Sequence, residues 1–236
     1  MKELIKYLGD STTDERFEKL LGILQYMNVP IVVMEEETKK YMYMKAARNI
    51  IIPARVQTDK IVLCMHYDVV TGSPAYLDNT SAICMVLDAR PELMQHDNVE
   101  IVFTDKEETG GIGSSLYCDN NDAKNVKLVI NLDIIGHGDV IYYCYYNVHQ
   151  DILQKLNEKC IEHNYPFCDF NIFRSSRFPC VSIITTPAGD FNTALNKVYT
   201  CMHRGHNEGN MDMIDLEVIE KTKNVVLDLV NFLNQV

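Results

Sequence analysis

Apolar residues recur along the chain in two patterns, one typical of strands covered on both faces and one typical of amphipathic helices. Continuous apolar runs predict buried strands, and apolar positions three or four residues apart predict helices. Because strands and helices alternate, we expect an α/β fold, a three-layer α/β/α sandwich whose mixed sheet is mainly parallel. The predicted strands are residues 49–53, 60–65, 99–103, 126–132, 140–146 and 180–184, and the predicted helices are residues 13–26, 78–87, 111–117, 151–163 and 216–233.

Composition and charge narrow the functional classes. No repeat or linker interrupts the alternation, so residues 1–236 are predicted to form one domain. The net charge of −11 argues against a nucleic-acid partner, because phosphate binding needs a clustered basic surface. No apolar run approaches the ~18 residues of a membrane helix, and the first residues lack the apolar stretch of a secretion signal. Eight scattered cysteines without a Cys-x-x-Cys pair favour reduced structural thiols, and we expect a cytoplasmic protein without membrane association.

Acidic and histidine side chains stand where the predicted strands end. His66 follows one strand, Glu107 and Glu108 follow the next, and Asp133 lies at the end of a third. The carboxyl ends of the strands in an open α/β sheet form the ligand crevice. We therefore expect these side chains to meet at one edge of the sheet.

The residue types in this group suit divalent cations. Histidine nitrogen and carboxylate oxygen together favour metals such as zinc, and the predicted ligands are His66, Asp78, Glu108, Asp133 and a histidine near the C-terminus. Glu107 is then free to act as a general base on water, and Asp68 is placed to accept a hydrogen bond from His66. An alternative for Asp78 is a helix N-cap, a position that aspartate favours.

A glycine-rich stretch follows the two glutamates. Gly110-Gly111-Ile112-Gly113 lacks the Lys-Ser/Thr of a phosphate-binding loop, and the preceding carboxylates would repel phosphate. The glycines are predicted to form a tight turn from strand to helix instead.

The ordered series of motifs resembles the co-catalytic zinc aminopeptidases, the family related to bacterial leucyl aminopeptidase and to the glutaminyl cyclases. The resemblance covers most of the chain from about residue 49. It implies a phosphorylase/hydrolase-like catalytic zinc-peptidase domain with two Zn²⁺ ions or other divalent cations, which releases N-terminal residues from peptides. The motifs are His66-Tyr67-Asp68, Gly72-Ser73-Pro74, Asp78-Asn79-Thr80-Ser81, Glu107-Glu108-Thr109-Gly110 and Asn131-Leu132-Asp133-Ile134-Ile135-Gly136.

The resemblance also implies a role for each site residue. His66 and Asp133 would bind one metal, Glu108 and the C-terminal histidine the other, with Asp78 as the bridge and Glu107 as the general base. Two histidines compete for the last ligand position. His206 is favoured over His203, because the Ile214-Asp215 pair then falls near the family's usual distance before the last helix.

The sequence departs from the family pattern at two places that concern the wall of the substrate site. Ala82 stands where the family has glycine, and the segment 175–179 stands where Ser-Asp-His-x-Pro-Phe usually precedes the C-terminal strand. The main hypothesis is an aminopeptidase acting on peptides with a free N-terminus. The alternatives are a glutaminyl cyclase-like acyltransferase, a related deacylase or carboxypeptidase, and a peptide-binding protein without activity. The absence of tryptophan disfavours the cyclase, and the oligomeric state stays open.

Overall fold

A computed structural model describes residues 1–38, 45–163, 169–189, 192–193 and 211–235. Within these ranges, eight strands belong to one sheet. They are β1 (Val32–Thr38), β2 (Lys45–Ile52), β3 (Lys60–His66), β4 (Val99–Thr104), β5 (Val126–Leu132), β6 (Val140–Tyr146), β7 (Ile161–Glu162) and β8 (Cys180–Thr186). Their order across the sheet is β1-β2-β4-β3-β5-β8-β6-β7.

The centre of the sheet is parallel and its flanks are mostly antiparallel. β3 pairs in parallel with β4 and β5, and β5 pairs in parallel with β8. β2 runs antiparallel to β1 and β4, and β6 runs antiparallel to β8. Every residue of β3, β4 and β8 is buried, so both faces of the central sheet are covered. The predicted α/β class with a mixed, mainly parallel sheet is confirmed.

Seven α-helices lie in the described ranges, and two groups of them cover the sheet. α3 packs against α7, and α4 packs against α6. The helices are α1 (Lys2–Gly9), α2 (Thr13–Tyr26), α3 (Ser81–Leu93), α4 (Ile112–Asp119), α5 (Gln150–Asn157), α6 (Asp169–Ser175) and α7 (Leu216–Leu233). α2 and α7 have the predicted bounds, and α2 begins with a capping box between Thr12 and Glu15. No described helix combines the length and the apolar character that a membrane crossing requires.

Three predicted helices differ from the observed ones, and the helix predicted over residues 111–117 is Ile112–Asp119 in the structure. The helix predicted over residues 78–87 begins only at Ser81, because Asp78 and Asn79 have non-helical backbone angles within a π-helical turn, Tyr76–Thr80. Asp78 is therefore not the N-cap, a position that Thr80 occupies. The helix predicted over residues 151–163 ends at Asn157. The chain then extends to form β7, which pairs with β6.

A buried ionic cluster lies at the amino edge of the sheet. Lys60 begins β3, and its Nζ atom donates to Glu100 Oε1 at 2.7 Å and to Asn121 Oδ1 at 2.9 Å. Tyr117 donates to the same Glu100 oxygen at 2.6 Å. Both charged side chains are almost fully buried, so each depends on the other for compensation.

Candidate metal site

The predicted site residues meet at the carboxyl edge of the sheet. His66 is the last residue of β3, and Asp133 directly follows β5. Glu107 and Glu108 lie in the turn after β4. Asp78 reaches the same edge from the π-helical turn that precedes α3. The topology thus gathers residues that are far apart in sequence, as expected for the ligand crevice of an α/β sheet.

His66 stands at the centre of the group. Its Nε2 atom lies 2.8 Å from Asp78 Oδ1 and 3.6 Å from Asp133 Oδ1. One potential ligand atom each from His66, Asp78 and Glu108 all lie within 4.8 Å of one another. Two ligands of one tetrahedral zinc ion are separated by roughly 3.3–3.6 Å, since zinc–ligand bonds are about 2.0–2.2 Å long. The observed separations bracket this value, so these side chains are close enough to share small divalent cations.

Asp68 contacts both His66 and the turn that carries Glu107 and Glu108. Its Oδ1 atom lies 3.2 Å from His66 Nδ1, which leaves Nε2 of the ring facing the other carboxylates. The same carboxylate accepts the backbone N–H groups of Glu107 at 3.0 Å and Glu108 at 3.1 Å. The sequence predicted the contact with His66, whereas the two backbone contacts were not anticipated. Such outer carboxylates fix the tautomer and orientation of a ligating histidine.

Hydrogen bonds across the sheet edge hold the turn that carries Asp78. Asn79 Nδ2 donates to the carbonyl of Leu132 at 2.7 Å, directly before Asp133. The Ser81 hydroxyl lies within hydrogen-bond distance of the carbonyl oxygens of Leu77 and Ile135, which share its single proton. The peptide bond between Asp78 and Asn79 is cis. These contacts tie Asp78 to Asp133, which lies 55 residues later in the chain.

The turn between β4 and α4 places the two glutamates. Lys106 and Gly111 have positive φ angles of 57° and 64°, so the chain bends sharply on both sides of Glu107 and Glu108. Gly113 approaches Asp105 so closely that a Cβ atom there would lie 2.4 Å from the Asp105 carbonyl oxygen. The predicted structural role of the glycines in a strand-to-helix turn agrees with this geometry.

A further carboxylate lies behind the site, and the sequence patterns did not reveal it. Asp169 is buried at the start of α6, and its Oδ2 atom accepts a hydrogen bond of 2.5 Å from Thr104 Oγ1. Cys64 Sγ lies 3.7 Å from the same oxygen. The available signal was an aspartate at the start of a short amphipathic helix before β8, whereas the family pattern points to residues 175–179.

The buried carboxylates shift the protonation of the two central groups. Burial raises the pKa of Glu107 to about 10, and the Asp133, Asp169 and Asp78 carboxylates add to this shift while His66 opposes it. Burial acts to lower the pKa of His66, but the neighbouring carboxylates of Asp133, Asp68 and Asp78 outweigh burial, so this pKa is raised well above its usual value. In the metal-free protein, protons thus take the place of missing positive charge.

This donor set fits divalent cations. Several carboxylates and one imidazole share a mostly buried pocket whose negative charge calls for compensation, and mixed N/O ligands suit zinc. His66, Asp78, Glu108 and Asp133 are the described residues that would hold the metals. The predicted ligand His206 and its competitor His203 lie outside the described residues, so their assignment stays a prediction.

Known structures share this fold. A zinc aminopeptidase from Bacillus subtilis aligns with 22% identity and a TM-score of 0.64, over 79% of this chain and 50% of the aminopeptidase. The glutaminyl cyclase of Porphyromonas gingivalis aligns with 18% identity and a TM-score of 0.74, over 100% of this chain and 97% of the cyclase. The glutaminyl cyclase of Macrostomum lignano aligns with 14% identity and a TM-score of 0.69, over 100% and 89%.

Sequence comparison gives the family. The chain spans only half the length of the Bacillus aminopeptidase, and no curated protein matches its sequence. The sequence profile of Peptidase family M28, however, matches residues 49–230. This range includes every predicted ligand and the predicted base. The chain therefore belongs to Peptidase family M28.

Proposed function

We propose that the protein is a zinc-dependent aminopeptidase that releases N-terminal residues from peptides. The observation that carries the proposal is the convergence of His66, Asp78, Glu108 and Asp133 at one sheet edge, beside the carboxylate of Glu107, in a member of a peptidase family. Two divalent cations, when bound, supply Lewis-acid activation of a carbonyl group and lower the pKa of water.

Each residue has a distinct part in this proposal. His66 and Asp133 would hold one cation, Glu108 and His206 would hold the other, and Asp78 would be shared between them. Glu107 accepts a proton from the attacking water and delivers it to the amine nitrogen as the peptide bond breaks. One water molecule is consumed, and a free amino acid and a peptide shortened by one residue are released.

The environment of Glu107 makes its role depend on the metals. A carboxyl group whose pKa is about 10 holds a proton at neutral pH and cannot serve as a base. Bound cations invert this situation, because their charge favours the ionised carboxylate. Glu107 is therefore expected to become a base only in the loaded site.

The test compares two substitutions in the zinc-loaded protein. Glu107→Gln removes the proton acceptor at nearly constant shape, and we expect hydrolysis of aminoacyl coumarin amides to fall by about 10²–10⁴-fold while bound zinc stays unchanged. Glu92→Gln, on the exposed surface of α3, is the matched control and should keep full activity. N-acetylated substrates should resist cleavage. Equal cleavage of free and acetylated substrates would overturn the aminopeptidase assignment, and loss of zinc in Glu107→Gln would make Glu107 a ligand.

A glutaminyl cyclase is the second candidate, because the Porphyromonas cyclase aligns with this chain at a TM-score of 0.74, against 0.64 for the Bacillus aminopeptidase. The chain covers nearly all of the Porphyromonas cyclase but only half of the Bacillus aminopeptidase. In this reaction the substrate's own α-amine attacks the side-chain amide carbon of an N-terminal glutamine and ammonia leaves. Glu107 would then carry the proton from the amine to the departing ammonia.

Two measurements on the same preparation separate the candidates. An aminopeptidase should bind about two zinc equivalents and release the coumarin from leucyl and similar substrates. A cyclase should bind one equivalent and release ammonia from peptides that begin with glutamine, without cleaving the chain.

A further inference from the structure

Arg16 is a fully buried cation that no proposed catalytic step uses. It lies on α2, and its guanidinium donates three hydrogen bonds, all to backbone carbonyls within the part of the chain that the structure describes. Nε donates to Leu8 at 3.1 Å, Nη2 to Gly9 at 3.4 Å and Nη1 to Tyr67 at 3.1 Å. The first two acceptors belong to the last turn of α1, whose carbonyls lack partners within the helix.

The third acceptor connects Arg16 to the metal site. Tyr67 stands between His66 and Asp68, so the hydrogen bond to its carbonyl restrains the peptide that joins these two side chains. The charge of Arg16 also acts on the carboxylates of Asp68, Asp78 and Glu108. A planar guanidinium with five donors in a fixed arrangement can span three carbonyls, which a lysine ammonium on a flexible stem does less well.

Neighbouring residues of the same segment contact the loop that follows His66 and the turn that carries Asp78. Thr13 Oγ1 accepts the backbone N–H of Val69 at 3.2 Å. Asp10 accepts a hydrogen bond from the hydroxyl of Tyr76, at the start of the turn that bears Asp78. Gly9 lies against the ring of Tyr76, where a Cβ atom would come within 2.2 Å of it.

We call residues 8–17 the N-terminal brace. The brace lies outside the range matched by the family profile, which begins at residue 49. Its contacts reach the peptide after His66 and the turn before Asp78, so it touches the two loops whose side chains meet 2.8 Å apart. A shift of the brace would change the separation of those ligands.

We propose that Arg16 is a positioning residue that holds the His66–Asp68 peptide and the Asp78 turn in the geometry that binds metal. The inference rests on the proposed metal centre. A positioning role and a purely electrostatic role of Arg16 predict opposite changes in metal affinity when Arg16 is replaced. Removing a cation close to bound metal relieves repulsion and should tighten metal binding, whereas losing the positioning contacts should weaken it.

The test measures zinc affinity by competition with a chelator in three variants. Arg16→Lys keeps the charge and loses the three-carbonyl arrangement, and Arg16→Met loses both. We expect both variants to bind zinc roughly 10–100-fold more weakly than the unmodified chain, the range typical of residues that orient metal ligands. Arg55→Met is the matched control, because the Arg55 guanidinium donates to the Met94 carbonyl at 2.6 Å and pairs with Asp97 at 2.8 Å, and among the described residues these partners lie in neither the brace nor a ligand loop. It should leave zinc affinity unchanged.

The outcomes discriminate between positioning and charge. Tighter binding in Arg16→Met with unchanged binding in Arg16→Lys would assign Arg16 a purely electrostatic effect and overturn the proposal, as would unchanged affinity in both. If neither Arg16 variant folds, Thr13→Val provides the test, because it deletes only the acceptor for Val69. Its zinc affinity should fall by roughly 2–10-fold, the value of one hydrogen bond. Unchanged affinity in Thr13→Val would then overturn the proposal.

The unmodified chain separates this inference from the proposed function. If it binds no zinc, both fall together. If it binds zinc and its Arg16 variants bind equally well, the metal centre stands and only the positioning role of Arg16 is lost.

Discussion

Asp68→Asn is the substitution whose effect follows most directly from the geometry of the site. The carboxylate accepts from three partners, His66 Nδ1 and the backbone N–H groups of Glu107 and Glu108. Asparagine has the same shape but only one acceptor oxygen. If that oxygen faces His66 and Glu107, the new NH₂ group opposes the N–H of Glu108. If the amide is reversed, His66 must accept at Nδ1 and carry its proton on Nε2, the nitrogen that faces Asp78.

The least costly of these arrangements still loses one charge-assisted hydrogen bond. Such a bond contributes about 1.5–3 kcal/mol, so the free energy of unfolding should fall by at least this range. For a chain of this size the melting temperature should drop by roughly 3–12 °C. Zinc affinity should fall about 10–100-fold, because the histidine loses the partner that fixes its tautomer.

The assay is zinc titration against a chelator, with thermal unfolding measured on the same samples. Asp105→Asn is the matched control. Asp105 is also buried beside the site, but its Oδ2 atom accepts from Arg48 N at 3.1 Å, and within the described residues its Oδ1 atom has no hydrogen-bond partner. The control should keep zinc affinity within about threefold, since it contacts no predicted ligand. An Asp68→Asn protein that binds zinc and melts like the unmodified chain would refute this account of the site.

Three further predictions concern stability, pH and the last ligand. Lys60→Met should lower the free energy of unfolding by about 3–5 kcal/mol in a urea titration, because it leaves Glu100 as a buried charge without its cation. Burial raises the folded-state pKa of Glu107 from 4.5 to about 10, so the folded metal-free protein holds a proton that the unfolded chain releases. Its stability should therefore fall as pH rises from about 5 to 9, less steeply in Glu107→Gln, as chelator-treated thermal unfolding would show. His206→Ala should lose one zinc equivalent and His203→Ala should keep both; the reverse result would move the ligand to His203.

The central strands were predictable because buried strands appear in the sequence as runs of apolar residues. Buried strands carry mainly apolar residues, and β5 and β6, each with a mainly apolar run, have the predicted bounds. Parallel pairing then fixes which strand ends meet, so the apolar runs alone suffice to place His66 and Asp133 at one edge of the sheet. β1 was missed because its second half is acidic, and its pairing with β2 is a contact that local pattern does not reveal.

The backbone around Asp78 and the approach of Asp169 depend on tertiary contacts. From local propensity alone, Asp78 is a plausible helix cap. In the structure, Asn79 donates a side-chain hydrogen bond to the Leu132 carbonyl, and the backbone of this turn is not helical. Asp169 reaches Thr104 from a helix 65 residues away in sequence. Periodicity carries no information about either contact.

The strand β3 carries an ionisable cluster at each of its two ends. Lys60 opens the strand in a buried ion pair, and His66 closes it at the candidate metal site. At about 3.3 Å per residue these ends lie roughly 20 Å apart. Substitutions at such a distance usually have additive effects on stability, to within about 0.3–0.5 kcal/mol. A substitution that destabilises the protein at the candidate metal site can therefore be compensated by an independent change at the other end of the strand.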